Sequence, residues 1–348
     1  MISLGRYRLF AGVPHEYSAR AIDLMASSIV VDMLGLLTLD WAKLRRWQIS
    51  PESFMPEDFE KLASSGITVF HPAVELNASE PHEATRNHFR SWQRLIDRHS
   101  SYLRHIACSV DFIRAKKSGQ IGILLGSQNS EHFRTLDDIR RFYGFGQRVS
   151  QLTYNLRNRL GDGYLERGDG GLTNYGADVV QCMNRNGMAI DVSHSGDRTT
   201  LDAFAASRKP VLITHSNCRA LVGGHPRCKS DEVIRRLAST GSVMGITGVR
   251  VFVRNQEPTT IEHVLDHFDH VVKLAGVDHV GIGSDTDLDG RDILARSRRR
   301  QLDIRGLDHP RRIFDLTEAL IRRRYSDQSI QLMLGGNFRR VLSEIWSI

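Results

Sequence analysis

Short apolar runs rich in β-branched residues recur along the chain, and each is followed by a stretch with helical periodicity. Eight runs stand out: residues 28–36, 67–74, 121–126, 149–154, 188–194, 211–215, 242–247 and 279–285. Between them, Ile261, Val264, Leu265, Phe268, Val271, Val272 and Ala275 form one apolar helical stripe closed by Gly276. Val179, Cys182 and Met183 form another face, ended by Gly187, and Asp197 is placed to cap the helix that begins TTLDAF. Repeated βα units predict an α/β fold with a parallel sheet, and eight of them predict a single (β/α)8 TIM-like barrel over residues 1–348. Residues 1–27 read as an N-terminal extension and helix, 288–312 as an arginine-rich loop or lid, and 326–348 as a C-terminal helix. The competing fold is an open doubly wound sheet. Against it, no GxGxxG follows the first run, and the glycine-rich LGDGYLERGDGGL at 160–172 lies after the fourth run without a P-loop lysine pattern.

Catalytic groups of a βα barrel sit at the C-terminal ends of its strands. Three such ends carry chemistry: AIDVSH ends with His194, LITHS carries His215, and GIGSD ends with Asp285. A lone histidine there would simply cap its strand by hydrogen bonding. Two at neighbouring ends with a carboxylate on the same rim can instead bind a divalent metal and manage the proton of an activated water.

Composition narrows the class. The 348 residues are 41% hydrophobic and 25% charged with only 9 prolines, which excludes disorder and fibrous repeats. No apolar stretch reaches the length of a membrane span, and the arginines at positions 6 and 8 precede any adequate apolar region, so the chain is expected to be unexported and free of the membrane. Four cysteines without CxxC spacing fit a reducing compartment, with the cytoplasm as the default. Lysine and arginine (47) exceed aspartate and glutamate (40), a net +7, and much of the excess lies at arginines 291, 296, 298, 299, 300, 305, 311 and 312. No aromatic platform interleaves them, so nucleic-acid binding is not expected; the segment reads as a solvated loop, against a lid for an anionic substrate or a subunit contact.

The segments GMAIDVSHSGD, KPVLITHSNCRAL, HPRCKSDEVIRRLA and VDHVGIGSDTDLDG, in this order, resemble the successive signatures of the membrane (renal) dipeptidase family, and the likeness runs from Ser28 to the NFRRVL near the end. That family is a zinc-dependent branch of the amidohydrolase-type barrels. The resemblance implies a barrel of the metallo-dependent hydrolase type that cleaves dipeptides with two metal ions bridged by a glutamate and a hydroxide, and it implies a homodimer. It further implies that His194 and His215 ligate one metal, that Asp285 handles the proton of the attacking water, and that Arg227 holds the substrate carboxylate. Such a task suits the fork of a guanidinium.

The departures from the family pattern matter as much. Its first strand ends in a His-x-Asp pair that binds the other metal, whereas VVDMLGLL places Leu34 and Leu36 there. The bridging glutamate corresponds to Gln128, which offers only a neutral carbonyl oxygen, and the histidine that polarises the scissile carbonyl corresponds to Tyr154, whose phenol can still donate to an oxyanion. These changes predict one zinc, or another divalent metal, rather than two. A third protein ligand would come from Gln128, Asp285 or His71, while Asp32 is expected to hydrogen-bond inside the barrel mouth. Two functions remain in play: a mononuclear hydrolase of dipeptides or a related small amide, and a catalytically silent small-molecule-binding barrel descended from a dipeptidase.

Overall fold

The computed structural model describes residues 17–76, 78–286, 288, 304, 307 and 309–347. Ten short strands, all parallel, make one sheet: β1 Val31–Asp32, β2 Val69–Phe70, β3 Leu103–His105, β4 Ile121–Ile123, β5 Gly126–Ser127, β6 Val149–Gln151, β7 Ala189–Asp191, β8 Leu212–Ser216, β9 Val243–Ile246 and β10 Val280–Ile282. The strand order is β3-β4-β2-β1-β10-β9-β8-β7-β6-β5. β4 and β5 belong to one stretch of chain, and Val74, just beyond β2, bridges Ser127 of β5 in parallel, so the sheet closes on itself. Counting β4 and β5 as one staggered strand and setting aside β3 at the margin leaves eight around the barrel, in the eight runs expected, and closure rules out the open doubly wound alternative. β3 is an addition the apolar pattern did not announce; it pairs only with β4.

Helices follow the strands and cover the sheet. The helix Asn174–Asn186 buries Val179, Cys182 and Met183 and ends at Gly187, and Ile261–Ala275 buries its apolar stripe and ends at Gly276. Asp197 departs from its expected role. Gly196 is the N-cap, Asp197 is the first helical residue of Asp197–Ala206, and its carboxylate pairs with Arg219 at 2.6 Å. That position still places an acid at a positive helix end.

The two ends of the barrel differ in chemistry. Val31, Val69, Val149, Ala189, Leu212 and Val243, each the first residue of its strand, share a buried cluster with Phe338, Val341, Leu342 and Ile345 of the helix Asn337–Trp346. That helix therefore covers the N-terminal end with apolar contacts. Buried polar residues gather further along the strands, among them Asp32, His71, Gln128, Gln151, Asp191, Thr214 and His215. Close approach there requires glycine: a Cβ on Gly283 would lie 1.9 Å from Thr214 O, and one on Gly126 would lie 2.1 Å from His71 Cε1.

Much of the arginine-rich segment, including Arg291, Arg296, Arg298, Arg299, Arg300 and Arg305, lies outside the described residues, as do residues 1–16 of the N-terminal extension. Arg311 and Arg312 are described, and both are buried, which corrects the expectation of a wholly solvated run. Among the described residues no helix is long and apolar enough to cross a membrane.

Candidate active site

His194 and His215 meet at the C-terminal mouth, with Nε2 to Nε2 at 2.9 Å. His215 lies within β8, and His194 lies on a turn just beyond β7. Their outer nitrogens are held by a polar shell. Asn155 Oδ1 faces His194 Nδ1 at 2.6 Å, and Asn155 adopts a left-handed φ of 59°, which an asparagine tolerates. His215 Nδ1 lies 2.8 Å from Thr214 Oγ1.

The hydrogen-bond partners across that shell favour one tautomer for both rings. Ser193 Oγ donates to Asp191 Oδ1 at 2.6 Å, and Thr214 Oγ1 donates its only proton to Asp191 Oδ2 at 2.8 Å. Thr214 Oγ1 can then only accept from His215, so His215 carries its proton on Nδ1. Asn155 Oδ1 is likewise an acceptor, so His194 does the same. Both Nε2 lone pairs consequently face each other. Burial holds both imidazoles well below their ordinary titration range, with the nearby Arg227 guanidinium the next contributor, so a shared proton is disfavoured.

Tyr154 stacks on His194, with ring centroids 4.4 Å apart and an interplanar angle of 24°. Burial, then Asp285, raises its phenol above the ordinary value, so it remains a proton donor. Asp285 follows β10 with φ 54°, and its N–H donates to Leu34 O at 2.8 Å. The negative charge of Asp285 favours the protonated forms of both Tyr154 and Arg227.

Arg227 is buried, and no carboxylate pairs with it among the described residues. Nη1 donates to Ser193 O at 2.7 Å and Ser216 Oγ at 3.2 Å, and Nη2 donates to His215 O at 2.9 Å. Of the five N–H bonds of a guanidinium, Nε–H and one on Nη2 are left over, and Nε is a buried donor without a partner. Phe252 lies under the guanidinium, 5.4 Å from its carbon to the ring centroid.

The remaining expected residues are placed less simply. His71 is buried and pairs through Nδ1 with Leu124 O at 2.8 Å. Gln128 donates from Nε2 to Ala73 O at 2.9 Å, so only its Oε1 could reach a cation. Among the described residues, no three His, Cys, Asp or Glu side chains form a group able to hold a metal. Leu34 and Leu36 are buried apolar residues, and Asp32 is engaged: Ser284 N and Oγ donate to it at 2.8 and 2.5 Å, and Arg312 Nη2 lies 3.4 Å away. Asn155, Asp191, Thr214 and Lys229 were not foreseen. Asp191 had a signal in the sequence, since it alternates with Ser193 before His194; Asn155 had none, because its role depends on its backbone conformation.

The family model of the membrane dipeptidases matches residues 18–348. Dipeptidase verJ of Clonostachys rogersoniana is 35% identical over 254 residues, 72% of this chain and 62% of that protein. Dipeptidase tcpJ of Claviceps purpurea is 29% identical over 258 residues, 73% of this chain and 58% of that protein. The chain thus spans about three fifths of the length of these relatives. Among solved structures, an amidohydrolase from Pseudomonas aeruginosa superposes with a TM-score of 0.81 at 27% identity, covering 94% of this chain and 99% of that one. A metallo peptidase from Rhodobacter sphaeroides, solved with a phosphinate mimic of the dipeptide L-Ala-D-Ala, shares the fold with a TM-score of 0.76 at 18% identity, covering 92% of this chain and 100% of that one. With a family match over nearly its whole length, the chain belongs to the membrane dipeptidase family, peptidase family M19.

Proposed function

We propose that the chain is a metal-dependent hydrolase of dipeptides, or of a related small amide bearing a free carboxylate, that works with one zinc ion held between His194 and His215. The observation that carries this reading is the approach of two buried imidazoles, Nε2 to Nε2 at 2.9 Å, with each outer nitrogen facing a side-chain oxygen, an arrangement that turns the two Nε2 lone pairs toward each other. Two such lone pairs repel unless a cation lies between them. With tetrahedral Zn–N bonds of 2.0–2.1 Å, two imidazoles on one ion hold their nitrogens about 3.3 Å apart, a few tenths of an ångström beyond the 2.9 Å here, so the pair fits the group after a small outward shift. When bound, the ion polarises the scissile carbonyl and makes water a nucleophile at neutral pH.

The chain's own residues supply the rest. Asp285 takes the proton of the attacking water, and its place just beyond the C-terminal end of β10, where barrel chemistry collects, supports that role. Tyr154, stacked on His194 and kept neutral by burial, donates a hydrogen bond to the developing oxyanion. Arg227 offers Nε–H and the spare Nη2–H to the substrate carboxylate. Any third protein ligand falls to Gln128 Oε1, His71 or Asp285. The engagement of Asp32 and the apolar Leu34 and Leu36 support a single ion.

One observation favours the silent binding barrel: the lack, among the described residues, of a group of three ligating side chains. Turnover separates the two readings. Metal-stripped protein is assayed with and without zinc against a dipeptide panel and the same dipeptides as C-terminal amides. The hydrolase reading expects zinc-dependent cleavage that favours the free carboxylate by roughly 100-fold, the discrimination a lost charged hydrogen-bonding partner produces. Absence of cleavage of every substrate with zinc present leaves the binding barrel.

A further inference from the structure

The turn at 192–195 carries His194 beyond the end of β7, so its carbonyl oxygens lack ladder partners. A buried carbonyl without a partner costs as much as a lost hydrogen bond. Each of the four is nevertheless satisfied, and mostly from one place. Lys229 Nζ donates to Val192 O at 2.7 Å and Ser195 O at 2.8 Å, Arg227 Nη1 donates to Ser193 O at 2.7 Å, and Tyr164 N donates to His194 O at 3.0 Å. The third Lys229 bond reaches Thr200 Oγ1 at 3.1 Å in the following helix, while Arg227 Nη2 holds His215 O on β8.

Local sequence explains why these two cations act together. Lys229 N donates to Asn217 O at 2.8 Å and Arg219 N donates to Lys229 O at 2.9 Å, which pins the segment alongside the continuation of β8. Pro226 and Arg227 lie in a turn closed by Cys228 N donating to His225 O at 3.0 Å, and the turn delivers Arg227 and Lys229 to the same side. Arg227 and Lys229 therefore both enter beneath the His194 turn, with Cys228 between them. Both are fully buried, and neither has a carboxylate partner among the described residues. Burying a charge without a counter-ion costs several kcal/mol, and burial lowers Lys229 to about 7, so its ammonium form depends on its three acceptors, two of which are the carbonyls that flank His194.

We infer that Lys229 is a positioning residue, which with Arg227 forms a two-cation clamp on the main chain that sets His194 Nε2 opposite His215 Nε2. This rests on the reading of the two imidazoles as a metal-holding pair. Lys229 itself touches neither imidazole. It fixes the carbonyls on both sides of His194 and ties that turn to the helix Asp197–Ala206, so without it Ser195 O would be unpaired and Val192 O would keep only the N–H of Ser195, at 3.1 Å. Ligand pairs must be held within about 0.5 Å to keep their affinity.

The test compares wild type, Lys229→Met and Thr200→Val as full-length chains. Thr200→Val keeps the lysine and removes one of its three acceptors, so it reports on the clamp even if the methionine variant fails to fold. Zinc affinity is read by competition with a chelator, and the imidazole nitrogens of histidine-labelled, metal-free protein are read by 15N NMR, with His194→Ala assigning the signal. The clamp predicts zinc binding weakened about 10- to 100-fold in Lys229→Met, a smaller loss in Thr200→Val, and a displaced His194 signal in the metal-free methionine variant. Removing a positive charge would by itself tighten binding of a dication, so unchanged or tighter zinc binding in Lys229→Met overturns the clamp. Should wild type bind no zinc, the metal reading fails while the NMR arm still decides: an unmoved His194 signal in the folded variants overturns the clamp, and a displaced one supports it.

Discussion

Arg312 Nη2 lies 3.4 Å from Asp32 Oδ2 with both side chains buried, so the acid at the end of β1 faces a resident guanidinium. The same Nη2 also donates to Ser284 Oγ and Thr286 O, each at 3.1 Å, and joins β1 to the segment after β10 next to Asp285. In the family pattern this side of the mouth holds a second metal. Here Leu34 and Leu36 supply no ligands, and the cation beside Asp32 is covalently part of the chain.

Removing that guanidinium leaves a buried carboxylate without its counter-ion. Arg312→Leu should destabilise the fold by about 3–5 kcal/mol, read as a lower midpoint in urea denaturation, and should leave the metal content per chain unchanged. A second bound metal in this variant would show that Arg312 had been holding a ligand set closed.

Three histidines away from the site make the fold acid-sensitive. Burial lowers His88, His132 and His267 each to about 4, and His88 Nε2 accepts a hydrogen bond from Trp92 Nε1 at 3.1 Å, which requires the neutral ring. Their folded values lie below the ordinary 6.5, so as pH falls the unfolded chain takes up protons first. Stability is therefore full above pH 6.5 and declines as pH falls from 6.5 toward 4, with a slope near pH 5 of about 4 kcal/mol per pH unit for three such groups. Urea melts across this range check the slope; His88→Asn should reduce it by about one proton, and a flat profile would contradict it.

The eight strands of the barrel were legible because each is built from an apolar β-branched run buried on both faces. β3 was not: Leu103 is its one fully buried residue, and Arg104 and His105 break any run. The histidine pair was legible because strand ends of a barrel are where chemistry collects. Lys229 was not, since a single lysine in HPRCKSDE reads as solvated until its three acceptors are seen. Arg311 and Arg312 misled for the same reason: a dense run of arginines reads as surface, and composition does not say which of them turn inward to find Asp32.

Tyr154 carries a separable prediction. Tyr154→Phe keeps the ring that stacks on His194 and removes only the hydroxyl, so kcat should fall by roughly 100-fold with little change in KM. Steady-state kinetics on a cleaved dipeptide reads this directly. A rise in KM with kcat intact would instead make Tyr154 a binding residue.

The central claim, one metal between two facing imidazoles, is tested most directly by metal content per chain. Protein purified without added metal is measured by plasma mass spectrometry beside His194→Ala and His215→Ala. The account predicts about one zinc or equivalent divalent ion in wild type and loss of it in both variants, since one imidazole forfeits half of the donor pair. Two ions per wild-type chain, or one ion retained in both variants, would contradict it.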